Sequence, residues 1–176
     1  MLLGSETCSG EEALRWFQID CDLFFQINSL EQKGTDTFIE GDLTCCNIQD
    51  FEIQIVGKVK YGLVHRMYLL PEDDHLELTA ICKKCGKAIS VFNSACDGYD
   101  HFDNNKSDQL MSKTLCCRQC GSERFSIQVK YEYPDEQELS EMETLNYDNA
   151  FTWIWTDLHC KKCGSRYTRF IDIETA

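Results

Sequence analysis

Cys117-Arg118-Gln119-Cys120-Gly121-Ser122-Glu123-Arg124-Phe125-Ser126-Ile127-Gln128-Val129-Lys130-Tyr131-Glu132-Tyr133 contains the two features that decide how this chain folds. Its first five residues place two thiols three positions apart and follow them with a glycine. That spacing lets both sulfurs turn toward one tetrahedral ion, while glycine allows the backbone to fold back with no Cβ in the way. Its last nine residues put Phe125, Ile127, Val129, Tyr131 and Tyr133 on every second position, with polar residues between them. This period of two gives a strand one apolar and one wet face, whereas a helix would mix the faces. The stretch therefore reads as a metal knuckle opening into a β-strand.

The same knuckle occurs at Cys82-Lys83-Lys84-Cys85-Gly86 and at Cys160-Lys161-Lys162-Cys163-Gly164. Strand-like runs flank both: Leu76 to Ile81 and Ala88 to Phe92 around the first, Phe151 to Leu158 (with Trp153 and Trp155) and Tyr167 to Ile173 around the last. The repeat is local and unequally spaced, which is not the signature of a solenoid. Nearer the amino terminus, Phe17, Ile19, Cys21, Leu23, Phe25 and Ile27 alternate with polar residues. Phe51, Ile53, Ile55, Val59, Tyr61, Leu63 and Met67 continue the theme, interrupted at Gly57 and Gly62, where a bulge or turn would re-aim the chain. The expected fold is mainly β, with antiparallel sheets and little helix. Pro71-Glu72-Asp73-Asp74 marks the expected boundary between a β-rich segment, residues 1–75, and a knuckle-bearing domain, residues 76–176, the alternative being that the strands on its two sides belong to one continuous sheet. Asp97 to Asn105 has the composition of a surface loop, and the stretch from Asp103 is no calcium loop, with no glycine at its sixth place and no glutamate at its twelfth. Pro134 to Asn149 is acidic and reads as a solvated connection with room for one or two helical turns.

Twelve cysteines in 176 residues would suit a secreted disulfide scaffold, but the start, Met1-Leu2-Leu3-Gly4-Ser5-Glu6, has neither the basic end nor the apolar run of an export signal. The expectation is a cytoplasmic protein whose thiols serve metal. No stretch approaches the roughly 18 apolar residues of a membrane span, so no membrane association is expected. The net charge of −13 is carried unevenly: residues 1–75 hold five Lys/Arg against fourteen Asp/Glu, and residues 76–176 hold twelve against sixteen. Basic residues thus gather at the knuckles, where Lys83, Lys84, Arg118, Lys161 and Lys162 lie between paired cysteines. Four thiolates around a divalent ion carry two net negative charges, and these cations offset them, which accounts for the pattern without nucleic acid.

A strand leaving Cys120 and a strand arriving at Cys160 can run antiparallel, which would bring Cys117, Cys120, Cys160 and Cys163 to one end of a hairpin. Over residues 115–173 this arrangement resembles the zinc-ribbon superfamily, and the resemblance implies a structural four-cysteine zinc site in a zinc-ribbon-like carboxy-terminal part. It implies no particular activity. Rubredoxins share the knuckle and would bring iron, but nothing else here resembles one. Cys82 and Cys85 are also expected metal ligands, either in a second zinc site with partners from Cys45, Cys46, Cys96 or Cys116, or in place of another knuckle. Adjacent Cys45 and Cys46 point to opposite faces of a strand, so joint ligation needs a turn there. His159 beside Cys160 reads as a neighbour of the site, and Cys21, on the apolar phase of its strand, as core. Because a bound ion stabilises only the folded arrangement, removing it is expected to unfold the carboxy-terminal half before the amino-terminal strands.

No catalytic constellation is legible. His75-Leu76-Glu77 ahead of Cys82 has a superficial likeness to the zinc deaminases, but Ile81 stands where they carry proline and the separation is too short. Four single histidines make no two-histidine motif, and no phosphate loop or nucleophile elbow is present. The expected function is a non-catalytic zinc-binding protein whose metal stabilises a β scaffold that binds a protein partner, a basic one given the charge. Two alternatives stand beside it: a nucleic-acid-associated zinc-ribbon factor using the knuckle cations with Trp153, Trp155 or Tyr167, and an acidic inhibitor or immunity-type protein. An enzyme with an unrecognised site stays open.

Overall fold

Alternation of apolar and polar residues is realised as strands throughout. The computed structural model describes residues 24–63, 66–73, 75–97, 111–134 and 151–175. These form β1 (Phe25–Lys33), β2 (Asp36–Leu43), β3 (Phe51–Val56), β4 (Lys58–Tyr61), β5 (Met67–Leu70), β6 (Glu77–Cys82), β7 (Ala88–Asn93), β8 (Lys113–Thr114), β9 (Phe125–Tyr133), β10 (Trp153–Cys160) and β11 (Arg166–Glu174), with no helix among the described residues. Every pairing is antiparallel, and nine strands make one sheet while β4 and β5 form a separate hairpin. The mainly β, antiparallel expectation holds.

β9 runs through the middle. It pairs with β2 along one edge and with β10 along the other, and at its start Phe125 pairs with Phe51 of β3. Its apolar phase, Phe125 to Tyr133, is buried while Ser126, Gln128, Lys130 and Glu132 are half-buried on the opposite face. β3 in turn pairs with β6, and short β8 lies against β3. Strands from both sides of the Pro71 segment thus share the sheet. The core gathers on the inner face around Phe51, Phe92, Phe125, Tyr167 and Phe170, all close to fully buried. Removing each of these large side chains from water stabilises the fold by about 1.5–3 kcal/mol.

The run from Phe51 to Met67 becomes three strands because of Gly57. Its φ is +137°, and a Cβ there would sit 2.7 Å from the Leu70 carbonyl oxygen, so the chain turns out of the main sheet into the β4–β5 hairpin. Of the alternation from Phe17 to Ile27 only the end is described. There β1 continues to Lys33 with Phe25 half-buried and Ile27 exposed, and a bulge falls between Ile27 and Ser29. An edge strand pairing only with β2 needs no continuous apolar face, which is why the pattern fades while the strand goes on. Most of the loop from Asp97, nearly all of the acidic connection after Pro134, and Cys8 and Cys21 lie outside the described residues.

Candidate metal centres and the outer sheet face

Each Cys-x-x-Cys-Gly knuckle closes with the same two backbone bonds. The first cysteine's N–H donates to the carbonyl five residues on (Cys82 to Lys87, Cys117 to Ser122, Cys160 to Ser165), and the glycine N–H donates back to the first cysteine's carbonyl, at 2.8–3.0 Å. Gly86, Gly121 and Gly164 have φ of +75°, +67° and +75°, the left-handed region that the motif's glycine permits. The sulfurs then point to a common centre from the ends of neighbouring strands.

Two such centres form. Cys117, Cys120, Cys160 and Cys163 make one, Cys45, Cys46, Cys82 and Cys85 the other, and within each set all sulfurs lie within 4.8 Å of one another. The close approaches are 3.5 Å for Cys117–Cys163, 3.6 Å for Cys120–Cys160, 3.6 Å for Cys45–Cys85 and 3.8 Å for Cys45–Cys46. Disulfide sulfurs would be at about 2 Å. A tetrahedron of sulfurs at about 2.3 Å from a central ion has edges of ~3.8 Å, so both clusters have the dimensions to hold a metal ion.

The clusters stand at matching places. Cys82 pairs with Phe51, Phe51 with Phe125, and Phe125 with Cys160, giving a single row across the sheet with one cluster at each end. Lys83 N–H donates to the Asp50 carbonyl and Lys161 N–H to the Arg124 carbonyl, again equivalent positions. Where the equivalents meet, Arg124 clasps the Asp50 carboxylate with Nε at 3.1 Å from both oxygens and a further contact from its terminal nitrogen. The sequences agree: Phe51-Glu52-Ile53-Gln54-Ile55 matches Phe125-Ser126-Ile127-Gln128-Val129, and Cys82 to Phe92 matches Cys160 to Phe170 at both cysteines, both lysines, the glycine and the closing phenylalanine. β3-β6-β7 and β9-β10-β11 are two copies of one three-stranded unit.

Electrostatics differ among the thiols. The Ser165 hydroxyl and amide hold Cys163 down to about 6, and the Lys87 amide with the Cys46 and Cys45 thiols holds Cys85 down to about 7. Burial, reinforced by the thiols around it, pushes Cys45 up to about 12. For Cys117 burial opposes ionisation, but the Tyr167 hydroxyl and the Cys120 and Gln119 amides outweigh it and keep the thiol below its ordinary range. The last cysteine of each lysine-bearing knuckle is therefore the readiest anion of its cluster.

No family model, curated protein or solved structure matches this chain. Its functional reading rests on the residues themselves. Of the six cysteines expected as ligands, Cys117, Cys120, Cys160 and Cys163 come together in one cluster, and Cys82 and Cys85 meet Cys45 and Cys46, one of the alternatives left open by the sequence. The turn that joint participation requires is present: Cys45 and Ile48 exchange backbone bonds, and Cys46 and Asn47 take φ of 53° and 61°. A sequence signal for this existed, since Cys46 precedes Phe51 by the same five residues as Cys120 precedes Phe125. Cys96 and Cys116 belong to neither set, nor does His159. Three of the five knuckle cations engage groups of the protein itself: Lys83 pairs with Glu52 at 2.8 Å, Lys84 reaches the Cys46 carbonyl, and Arg118 reaches the Gly62 carbonyl over the Tyr61 ring.

The face of the sheet opposite the core is a second feature. Tyr167 is 1% exposed and faces the core, but Trp153 and Trp155 lie half-buried on the outer face, stacked at 5.6 Å, with Phe38 against Trp155. Lys130 sits over both Phe38 and Trp155. Strand register puts Glu31, Asp36, Glu40, Asp42, Glu132, Asp157, Asp172 and Glu174 on the same face, together with the cations Lys33, Lys130, Arg166 and Arg169. A shallow depression of about 410 Å³ lies among Phe38, Lys130, Trp155 and Arg169. Burial first, then the nearby Asp36 and Glu174 carboxylates, raise Glu132 above its ordinary range, with Lys130 acting against them.

Proposed function

We propose that this protein is a non-catalytic zinc scaffold: two zinc-ribbon units, each organised by one zinc ion on four cysteines, that together hold an acidic, aromatic sheet face for a basic segment of a protein partner. The observation that carries the reading is the pair of four-sulfur clusters at equivalent ends of one strand row. Four thiolates at tetrahedral spacing suit zinc among the available divalent ions, and a complete sulfur set keeps no coordination position for substrate, as structural sites do. A reducing, cytoplasmic setting fits a protein that needs its thiolates. The outer face supports the choice of partner: eight carboxylates against four cations favour lysine and arginine, and the half-buried tryptophan rings offer stacking surface to guanidinium groups. The nucleic-acid alternative loses support from the same balance and from the engagement of Lys83, Lys84 and Arg118 within the protein.

Native mass spectrometry of protein purified without added metal tests the scaffold, with two zinc ions per chain expected; chains that carry no metal and contain cystines would overturn it. Capture from native extract with the parent and with a Trp153→Ala, Glu132→Lys variant tests the face. The reading expects basic proteins on the parent alone. Recovery of nucleic acid that is released steeply by added salt would move the assignment to the alternative.

A further inference from the structure

The two clusters are copies, but their surroundings are not, and three differences fall on the same side. The first is in the backbone. The second cluster is built from two glycine-closed knuckles, whereas the first combines one such knuckle with the turn from Cys45 to Ile48; there Leu43 occupies the position equivalent to Cys117, and Cys45, two residues on, supplies the sulfur instead. Two non-glycine residues, Cys46 and Asn47, take left-handed conformations to achieve this.

A further difference is in the groups that hold the sulfurs. At the second cluster the Tyr167 hydroxyl lies 3.0 Å from the Cys117 sulfur and is itself fixed by the Arg118 N–H at 3.1 Å, and the Ser165 hydroxyl lies 3.1 Å from the Cys163 sulfur. The positions equivalent to Tyr167 and Ser165 are Ile89 and Lys87. Isoleucine has no donor, and the Lys87 ammonium is turned onto the Phe24 ring, 4.0 Å from its centroid. Among the described residues no side-chain hydroxyl reaches a sulfur of the first cluster. Outer groups that orient ligands and donate to thiolates typically change metal affinity by about 10–100-fold. The last difference is access: Cys46 and Cys85 are both exposed, whereas in the second cluster only Cys163 is.

We infer that the first cluster, Cys45, Cys46, Cys82 and Cys85, is an exchangeable zinc site and the second a permanent one, so that the protein cycles between two-zinc and one-zinc forms. This rests on the zinc reading above. The one-zinc form keeps the shared sheet folded, with Trp153 and Trp155 in place, and frees the four sulfurs of the first cluster, which makes zinc supply a signal the scaffold can register at that end of the strand row.

The test titrates the full-length, zinc-loaded protein with a chelator and follows ion number by native mass spectrometry. Alkylation of the thiols at the midpoint, followed by peptide mapping, identifies which cysteines have lost their ion. The expectation is a one-zinc species that accumulates over at least a tenfold span of chelator, with Cys45, Cys46, Cys82 and Cys85 alkylated and Cys117, Cys120, Cys160 and Cys163 protected. Tyr167→Phe should narrow that span and Ile89→Tyr leave the second site unchanged. Loss of both ions together, or protection of the first set instead, overturns the inference while leaving two structural zincs in place. Protein that never carries zinc overturns both readings, and because the mapping is done on the parent chain, a variant that fails to fold leaves its outcome standing.

Discussion

At the scale of single residues, the glycines that close the knuckles meet a conformational requirement that can be measured in isolation. A Cβ at Gly86 would meet nothing within 4 Å, and one at Gly164 only the His159 ring at 3.9 Å, so alanine at either position is opposed by backbone conformation and not by crowding. The left-handed region costs an ordinary residue about 1–2 kcal/mol, less for asparagine. Gly164→Ala is therefore expected to lower the free energy of urea unfolding by that amount and Gly164→Asn by clearly less; equal losses would mean that space, not φ, governs the site. Thiol ionisation gives a second residue-scale expectation. Cys163 at about 6 and Cys85 at about 7 are depressed from their ordinary range, so in the metal-free fold their contribution is present above that range and is lost as pH falls through about 7 and then about 6. Protons compete with metal for the same sulfurs. Zinc affinity measured by competition across that window should accordingly fall more steeply once pH drops below about 6, and Ser165→Ala, which removes the leading cause of the Cys163 shift, should move that break to higher pH. An unmoved break would assign it to another thiol.

At the scale of elements, the row Cys82–Phe51–Phe125–Cys160 joins the two units, and its rim is the ion pair of Asp50 with Arg124. The arginine side chain is 60% exposed and the aspartate 14%, so solvent screens the pair, and a double-mutant cycle of Asp50→Asn and Arg124→Gln should find a coupling barely above its own error. Phe51→Ala empties a fully buried position at the centre of the row and should cost about 3–5 kcal/mol. If its effect on thermal unfolding were as small as that of the ion pair, the row would not be what holds the units together. The elements themselves are largely legible in the sequence, because β6, β7, β9, β10 and β11 each carry alternation beside a knuckle. β2 is not: Asp36-Thr37-Phe38-Ile39-Glu40-Gly41 hides its alternation, since Phe38 faces outward onto Trp155 and Gly41 supplies no side chain. The second cluster can be assembled from antiparallel geometry alone. The first cannot, because adjacent cysteines look incompatible with one ion until the turn at Cys46 and Asn47 is known, and turn dihedrals of non-glycine residues leave little trace in composition.

At the scale of the whole molecule, the two units are interleaved rather than adjacent. β2, which leads into the first unit, pairs with β9 of the second, and β8, which leads into the second, pairs with β3 of the first. Each unit therefore has an edge completed by a strand that the other unit's chain supplies. Sequence taken alone predicts that loss of metal releases the carboxy-terminal half before the amino-terminal strands, but this pairing removes the means of doing so: freeing β9 exposes the backbone of β2, and freeing β3 exposes β8. With a metal ion held in each cluster, both ions would act on the same sheet. Apparent zinc binding energies in small folded peptides, about 10–16 kcal/mol, match or exceed the roughly 5–15 kcal/mol that separates a typical domain from its unfolded state. Cys163→Ser should thus unfold the sheet as a whole, and Cys85→Ser, at the looser site, should lower the midpoint while leaving one transition. Trp153 and Trp155 report from the second unit, and amide exchange in β6 and β7 reports from the first. On heating the Cys85→Ser protein, the two signals should change together. Separate midpoints, with the tryptophan signal persisting after β6 and β7 have exchanged, would show that the strand exchange between units is too weak to couple them and that each unit folds on its own.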